Sequence, residues 1–176
     1  MSEFHLNASE LHERASELHA SDRVFLSGTI YTARDQAHMA LFRLLDSGST
    51  LPLDIRGAVI YYAGPTPGRG DMPTLACGPT TSSRMDKFTP RLLELGLAAM
   101  IGKGPRSESV REAIVKNKAV YLCATGGAGA LIAKSIVKME EIAFGELGCE
   151  SLKRLEVRDM PLIVGIDAHG GNIFAR

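Results

Sequence analysis

An α/β fold is the prediction, and three features of the chain carry it. Strand-like runs alternate with helix-like ones through most of the length. The central strand-like runs each end in a polar or glycine-rich corner. No low-complexity linker interrupts the pattern, and 176 residues suit one compact domain with its own core.

Element by element, the first 22 residues read as a helical extension. The tetrapeptide SELH occurs at residues 9–12 and again at 16–19, which places Leu11 and Leu18 on one stripe of a short amphipathic helix. RVFLSGTIYT (23–32) is β-branched and aromatic, hence a strand. ARDQAHMALFRLLDSG follows with Ala37, Leu41, Leu44 and Leu45 at helical spacing and stops at Gly48. GAVIYYAGP (57–65) is a buried strand, and TPGRGDMP is a loop. Residues 84–96 read as a helix disturbed at Pro90. AAMIGKG is a strand, SESVREAIVKN a helix, KAVYLCATGG a strand and AGALIAKSIVKM a helix. The tail LEVRDMPLIVGIDAHGGNIF reads as short strands and a hairpin around His169, Gly170 and Gly171.

The bulk properties exclude several classes. Twenty basic and twenty acidic side chains give a formal net charge of zero, without long runs of one sign. Nucleic-acid and membrane-surface binding are therefore not expected. No apolar run nears the roughly 18 residues of a membrane span, and the polar start lacks the apolar centre of a secretion signal. Cys77, Cys123 and Cys149 are odd in number and widely spaced, which suits reduced thiols and a cytoplasmic compartment. His5, His12 and His19 stand seven apart, about 10 Å along a helix, too far for shared metal ligation.

Ligands of open α/β sheets collect beyond the carboxyl ends of strands, and the polar corners fall there. They are residues 29–35, 64–67, 102–104 and 125–129. One of them carries Arg34 and another Lys103, and CGPTTSSR adds Thr80, Thr81 and Arg84 at a helix start. Each cation taken singly is a surface residue in a turn. Recurring at strand ends, they suggest a pocket for a small carboxylate or phosphate dianion. The hydroxyls cap a helix, or one of them, Thr80 or Thr81, serves chemistry beside the Arg84 guanidinium. TGGAGA (125–130) matches no nucleotide fingerprint, and close strand-to-helix packing is its simpler reading. Cys77, beside this corner, reads as packing rather than as a reactive thiol.

Six stretches in order, SGTIYTARDQAH, GAVIYYAGPTP, CGPTTSSRMDKFTPRLLELGL, MIGKG, TGGAGALIAKSI and PLIVGIDAHGGNIF, resemble the β subunit of class I iron–sulfur fumarate hydratases. The related L-tartrate dehydratase β subunit is similar too. The resemblance runs from Val24 to Phe174 and implies a swivelling β/β/α catalytic domain over residues 23–176. It implies a partner α subunit that carries a [4Fe–4S] cluster, with none of this chain's cysteines among the ligands. Matched residue by residue, Thr80 is the catalytic base, chosen over Thr81, with Arg84 beside it. Arg34 and Lys103 match residues that hold the substrate carboxylates, and Thr81, next to Thr80, is a further substrate-binding candidate that the match does not itself assign. The expected activity is hydration of fumarate to L-malate, active only with the α subunit. Dehydration of L-tartrate or another hydroxydicarboxylate is the alternative, and a non-catalytic anion-binding scaffold is the reading from another class. Apolar surface meant for the partner would let the isolated chain form a homodimer.

Overall fold

The computed structural model describes residues 1–125 and 127–175. Its elements run β1 (Glu3–Asn7), α1 (Leu11–Arg14), β2 (Arg23–Thr32), α2 (Asp35–Asp46), β3 (Val59–Tyr61) and α3 (Thr89–Glu94). They continue β4 (Ala99–Gly102), α4 (Glu108–Lys116), β5 (Val120–Cys123), α5 (Gly129–Ala133), β6 (Ile136–Ala143) and β7 (Leu152–Ile166). The sheet order is β1-β2-β3-β4-β5-β7-β6, and a further pairing of β2 with β7 closes β2, β3, β4, β5 and β7 into a barrel-like core. Strands β2 to β5 are mutually parallel, while β7 runs antiparallel to β2 and β5. The result is a single compact α/β domain, as the alternation of elements predicts.

Strand alternation sorts the side chains into two layers. Val59, Tyr61, Ala99, Ile101, Val120 and Leu122 point into the barrel, where they meet Leu26 and Ile30 of β2 and Leu155 and Val164 of β7. Ile60, Tyr62, Met100 and Tyr121 point outward and pack under Leu41 of α2, Leu92 of α3 and Ile114 of α4. With both faces covered, β3, β4 and β5 read as nearly unbroken apolar runs. Every parallel strand therefore delivers its carboxyl end to the same edge of the sheet.

The chain departs from the sequence reading in four places. Residues 1–22 open with a strand, not a helix: β1 lies parallel to the first half of β2, with Glu3 opposite Arg23 and Asn7 opposite Ser27. The helical turns come after it, starting at an Asn7–Glu10 capping box. Leu11 and Leu18 are fully buried in the core, so this segment is built into the fold. Pro90 lies in the first turn of α3 and opens that helix, where its missing N–H costs nothing. The run 128–139 is helical only through Ala133 and then becomes β6. Two bulges in β6 space Ile136, Met139 and Ile142 three apart, which imitates a helical stripe.

The tail is the fourth departure. Its expected short strands are one continuous strand, β7, of 15 residues. Asp159 and Pro161 are residue types that disfavour a strand, yet they fall where β7 has only β2 beside it: β6 pairs up to Val157 and β5 from Ile163. A proline there removes no ladder bond on the open side. The hairpin turn beyond is present, tied by Asp167 Oδ1, which accepts from the amides of His169 and Gly171 at 2.9 and 2.8 Å.

Candidate active site

Three strand ends and one crossing segment build the site. Residues 77–86 leave the loop after β3 and cross the carboxyl edge of the sheet. Pro79 bridges to Ala63 just past β3, and the Thr80 amide donates to the Tyr62 carbonyl at 2.7 Å. Thr81 then bridges in parallel to Lys103, immediately past β4. The Ser82 amide donates to the Lys103 carbonyl at 3.0 Å, and the Lys103 amide returns a 3.0 Å bond to Ser82 Oγ. Thr80, Thr81 and Lys103 are thus brought together on adjacent backbone. Thr80 is half-buried, while Thr81 and Lys103 are exposed.

Arg34 joins the group from the end of β2. The Ala33 amide bonds the Tyr61 carbonyl at 3.1 Å, so Arg34 sits beside the end of β3. A methyl group added at Gly64 would lie 3.0 Å from Arg34 Nη1 and 3.3 Å from the Cys149 carbonyl. Gly64 therefore leaves room for both. The Arg34 Nε stands 3.7 Å from Glu150 Oε1, an ion pair too long for a hydrogen bond, and neither buried atom has another partner among the described residues. Behind Glu150, the Lys153 ammonium donates to Ser151 Oγ at 2.6 Å and to the Gly148 and Cys149 carbonyls at 3.1 and 3.3 Å. Burial lowers the pKa of that ammonium, and the nearby Glu141 opposes the shift.

Arg84 is held differently from the sequence reading. Its guanidinium makes a two-pronged contact with Asp35, Nη2 to Oδ2 at 2.6 Å and Nε to Oδ1 at 3.2 Å. Asp35 opens α2, where a carboxylate also meets the favourable end of the helix dipole. The corner is not an α-turn either: Thr80 lies outside a short 3₁₀ helix, Ser82–Met85, so the one-turn spacing of Thr80 and Arg84 is not realised. Two of the three expected cations thus face carboxylates, and among the described residues Lys103 has none within ion-pair range.

The four hydroxyls divide. Thr81 stands at the helix cap position without making a cap bond. Ser82 is fully buried and ties the corner to the sheet. A methyl at Gly102 would come within 1.9 Å of Ser82 Oγ, so the glycine is what admits this tie. The Tyr121 hydroxyl lies 2.9 Å from Ser82 Oγ and donates to the Gly104 carbonyl at 2.9 Å.

Sequence reasoning missed the polar layer beneath this corner. Arg106 is buried against Tyr62 and Tyr121, and its Nε bonds Asp86 at 2.6 Å. His38 is fully buried, and its Nδ1–H must be the donor to the Arg34 carbonyl at 2.8 Å, because a carbonyl only accepts. Burial drives its pKa down to about 4, against the help of that bond, so the ring is neutral near pH 7. The signals for both were weak: an arginine after a proline and a histidine on a helix stripe.

The glycine-rich run and the cysteines take structural readings. A methyl at Gly129 would lie 3.2 Å from the Gly78 amide nitrogen, and Cys77 N bonds Gly129 O at 3.1 Å. The run thus lets two backbones meet; Gly126 within it lies outside the described residues. Cys77 is wholly buried, and burial pushes its thiol up to about 12. Cys123 is raised by burial to about 11, and Cys149 is exposed. Among the described residues, no three His, Cys, Asp or Glu side chains form a set that could hold a metal ion, and no helix is long and apolar enough to cross a membrane.

The sequence pattern of the family described as Fumarase C-terminus matches residues 1–176. The chain belongs to this family. The match includes the first twenty-odd residues, which the resemblance left out and which β1 ties into the sheet. Among its relatives, the anaerobic class I fumarate hydratase of Escherichia coli is 39% identical over 156 residues, 88% of this chain and 28% of that protein. A protein of Methanocaldococcus jannaschii named putative L(+)-tartrate dehydratase subunit beta is 38% identical over 159 residues, 87% of this chain and 82% of its own length. The L(+)-tartrate dehydratase subunit beta of E. coli is 36% identical, covering 88% of this chain and 78% of that subunit. The chain thus spans about a quarter of the fumarate hydratase and most of each β subunit.

Proposed function

We propose that this chain is the β subunit of a two-chain hydro-lyase that interconverts fumarate and L-malate. The observation that carries the reading is the convergence of Thr80, Thr81, Lys103 and Arg34 on one edge of the sheet, in a chain whose relatives carry hydro-lyase names. In this reading Thr80, as its alkoxide, takes the proton from C3 of malate while the C2–O bond breaks and the hydroxyl departs as hydroxide. In the reverse direction Thr80 returns the proton to fumarate as hydroxide adds at C2. Thr80 is half-buried, which limits water around that transfer. Lys103 binds one carboxylate as a point charge, and Arg34 binds the other through its outer nitrogens while Glu150 faces its Nε. Arg84 meets the substrate by giving up Asp35 in part or whole, and Thr81 hydrogen-bonds a carboxylate.

The three cysteines do not fit an iron–sulfur cluster. They occupy buried, intermediate and exposed settings, and two of them hold their protons to pH values well above neutral. The [4Fe–4S] cluster of this reading belongs to a partner α subunit, whose surface closes over the exposed side of the corner. The working compartment in this reading is the cytoplasm. Apolar side chains at Met72, Leu75 and Leu131 are exposed, so the isolated chain would pair with itself when the partner is missing.

A second reading has a specific observation behind it. The chain covers most of two L(+)-tartrate dehydratase β subunits. Anaerobic co-expression with the α chain, followed by assays on fumarate, L-malate and L-tartrate, separates the two. Interconversion of fumarate and malate supports the first reading. Turnover of L-tartrate alone replaces the substrate and keeps the site. An inactive complex with a full cluster would contradict both.

A further inference from the structure

Arg106 lies outside every role assigned so far, yet its contacts lead to the segments that carry Thr80, Arg84 and Lys103. Its side chain is fully buried. The Nε donates to Asp86 Oδ1 at 2.6 Å, two residues past Arg84. Its Nη2 donates to Thr89 Oγ1 at 2.8 Å and to the Tyr62 hydroxyl at 3.3 Å. The guanidinium carbon stands 4.9 and 5.3 Å from the ring centroids of Tyr121 and Tyr62, within cation–π range.

Each of these contacts leads back to the corner. Tyr62 supplies the carbonyl that holds the Thr80 amide. Tyr121 reaches Ser82 Oγ, which also holds the Lys103 amide. Asp86 closes a loop of its own, because its second oxygen accepts from the Ser107 amide at 2.8 Å. That bond joins the segment of Thr80 and Arg84 to the segment of Lys103 a second time. Thr89 in turn donates to the Met85 carbonyl at 2.9 Å, fixing the end of the 3₁₀ turn that bears Arg84. A buried cation with only one carboxylate partner is an expensive way to fill a core. An apolar side chain would fill the volume but could not join three segments through directed bonds.

We propose that Arg106 is a positioning residue, which sets the spacing between Thr80, Arg84 and Lys103 from beneath. The consequence for turnover rests on the hydro-lyase reading; the spacing itself does not. The guanidinium fork is the essential part, so lysine in its place keeps the charge and loses the geometry.

Two measurements test it. The first is amide hydrogen exchange in the full chain carrying Arg106→Lys, with Asp86→Asn as the variant that disturbs shape least. Exchange at Thr80, Ser82 and Lys103 should quicken by about tenfold or more while Ser21 and Val164, bonded at the start of β2, stay within about twofold. Uniform quickening across the barrel, or no change at the corner in either variant, would overturn the proposal. The second is the kcat/KM of the two-chain enzyme, compared with Leu92→Ala, a change in the same layer chosen for a similar loss of melting temperature. A fall of about tenfold or more in Arg106→Lys but not in Leu92→Ala is expected. Equal falls in both would reduce Arg106 to a stabilising role. A wild-type complex inactive on every dicarboxylate would refute the functional reading, and the exchange result would still decide the proposal.

Discussion

Arg84 and Arg106 each hold a carboxylate at 2.6 Å, and they belong to opposite physical regimes. The Arg106 side chain is wholly buried and that of Asp86 is 13% exposed, whereas the Arg84 side chain is 49% exposed and that of Asp35 27%. A solvent-exposed pair is worth about 1 kcal/mol or less, so Arg84 can exchange Asp35 for another anion at little cost. Removing one partner of a buried pair leaves an uncompensated charge and costs about 3–5 kcal/mol. Equal distances thus mark two different devices. The exposed arginine can trade its carboxylate partner at little cost, and the buried one is fixed in the frame behind it.

Four changes probe that contrast, from the largest effect to the smallest. Asp86→Ala should lower unfolding stability by about 3–5 kcal/mol, read from denaturant midpoints. A loss of less than about 1 kcal/mol would mean that Arg106 finds another partner. The second concerns His38, which feels both pairs: Asp35 favours its charge and Arg106 opposes it. Its pKa falls from the ordinary 6.5 to about 4 on folding, so the unfolded chain binds the proton first as pH drops. Stability from this group is complete above pH 6.5 and is lost towards pH 4, by about 3 kcal/mol. His38→Gln should flatten the slope of stability between pH 6.5 and 5, and an unchanged slope would remove His38 as its cause.

Third, Gly102→Ala drives a methyl into Ser82 Oγ, with an expected loss of about 1–3 kcal/mol and looser binding of anions at Lys103. Last, Asp35→Asn should change stability by less than about 1 kcal/mol. It should nonetheless raise the affinity of the two-chain enzyme for dicarboxylates, because Arg84 then has no competing anion. Strong destabilisation instead would place Arg84 in the same regime as Arg106.

The same contrast explains what the sequence made legible. Strands with two buried faces, β3 to β5, leave unbroken apolar runs, and β2 is legible from its β-branched and aromatic residues over the very positions it occupies. The strand-end corners followed from the alternation of elements, and with them Arg34, Lys103 and the Thr80 segment. A strand whose inward positions are displaced by bulges leaves a misleading period, which is why β6 read as helix. The middle of β7 hid behind Asp159 and Pro161 because breaker residues are harmless where a neighbouring strand is missing. Partners distant in sequence left no pattern at all: Asp35 is 49 residues from Arg84, and Asp86 is 20 from Arg106. Thr80 and Thr81 stayed indistinguishable on residue type, and only the family resemblance separates them.

The most direct test of the central claim follows one proton. L-Malate is incubated in D2O with the two-chain enzyme, and deuterium entering C3 is followed by NMR, for wild type and for Thr80→Val. The account predicts exchange in the wild type and a loss of about 10²–10⁴-fold in Thr80→Val, with malate still bound. Exchange at an undiminished rate in Thr80→Val would contradict it.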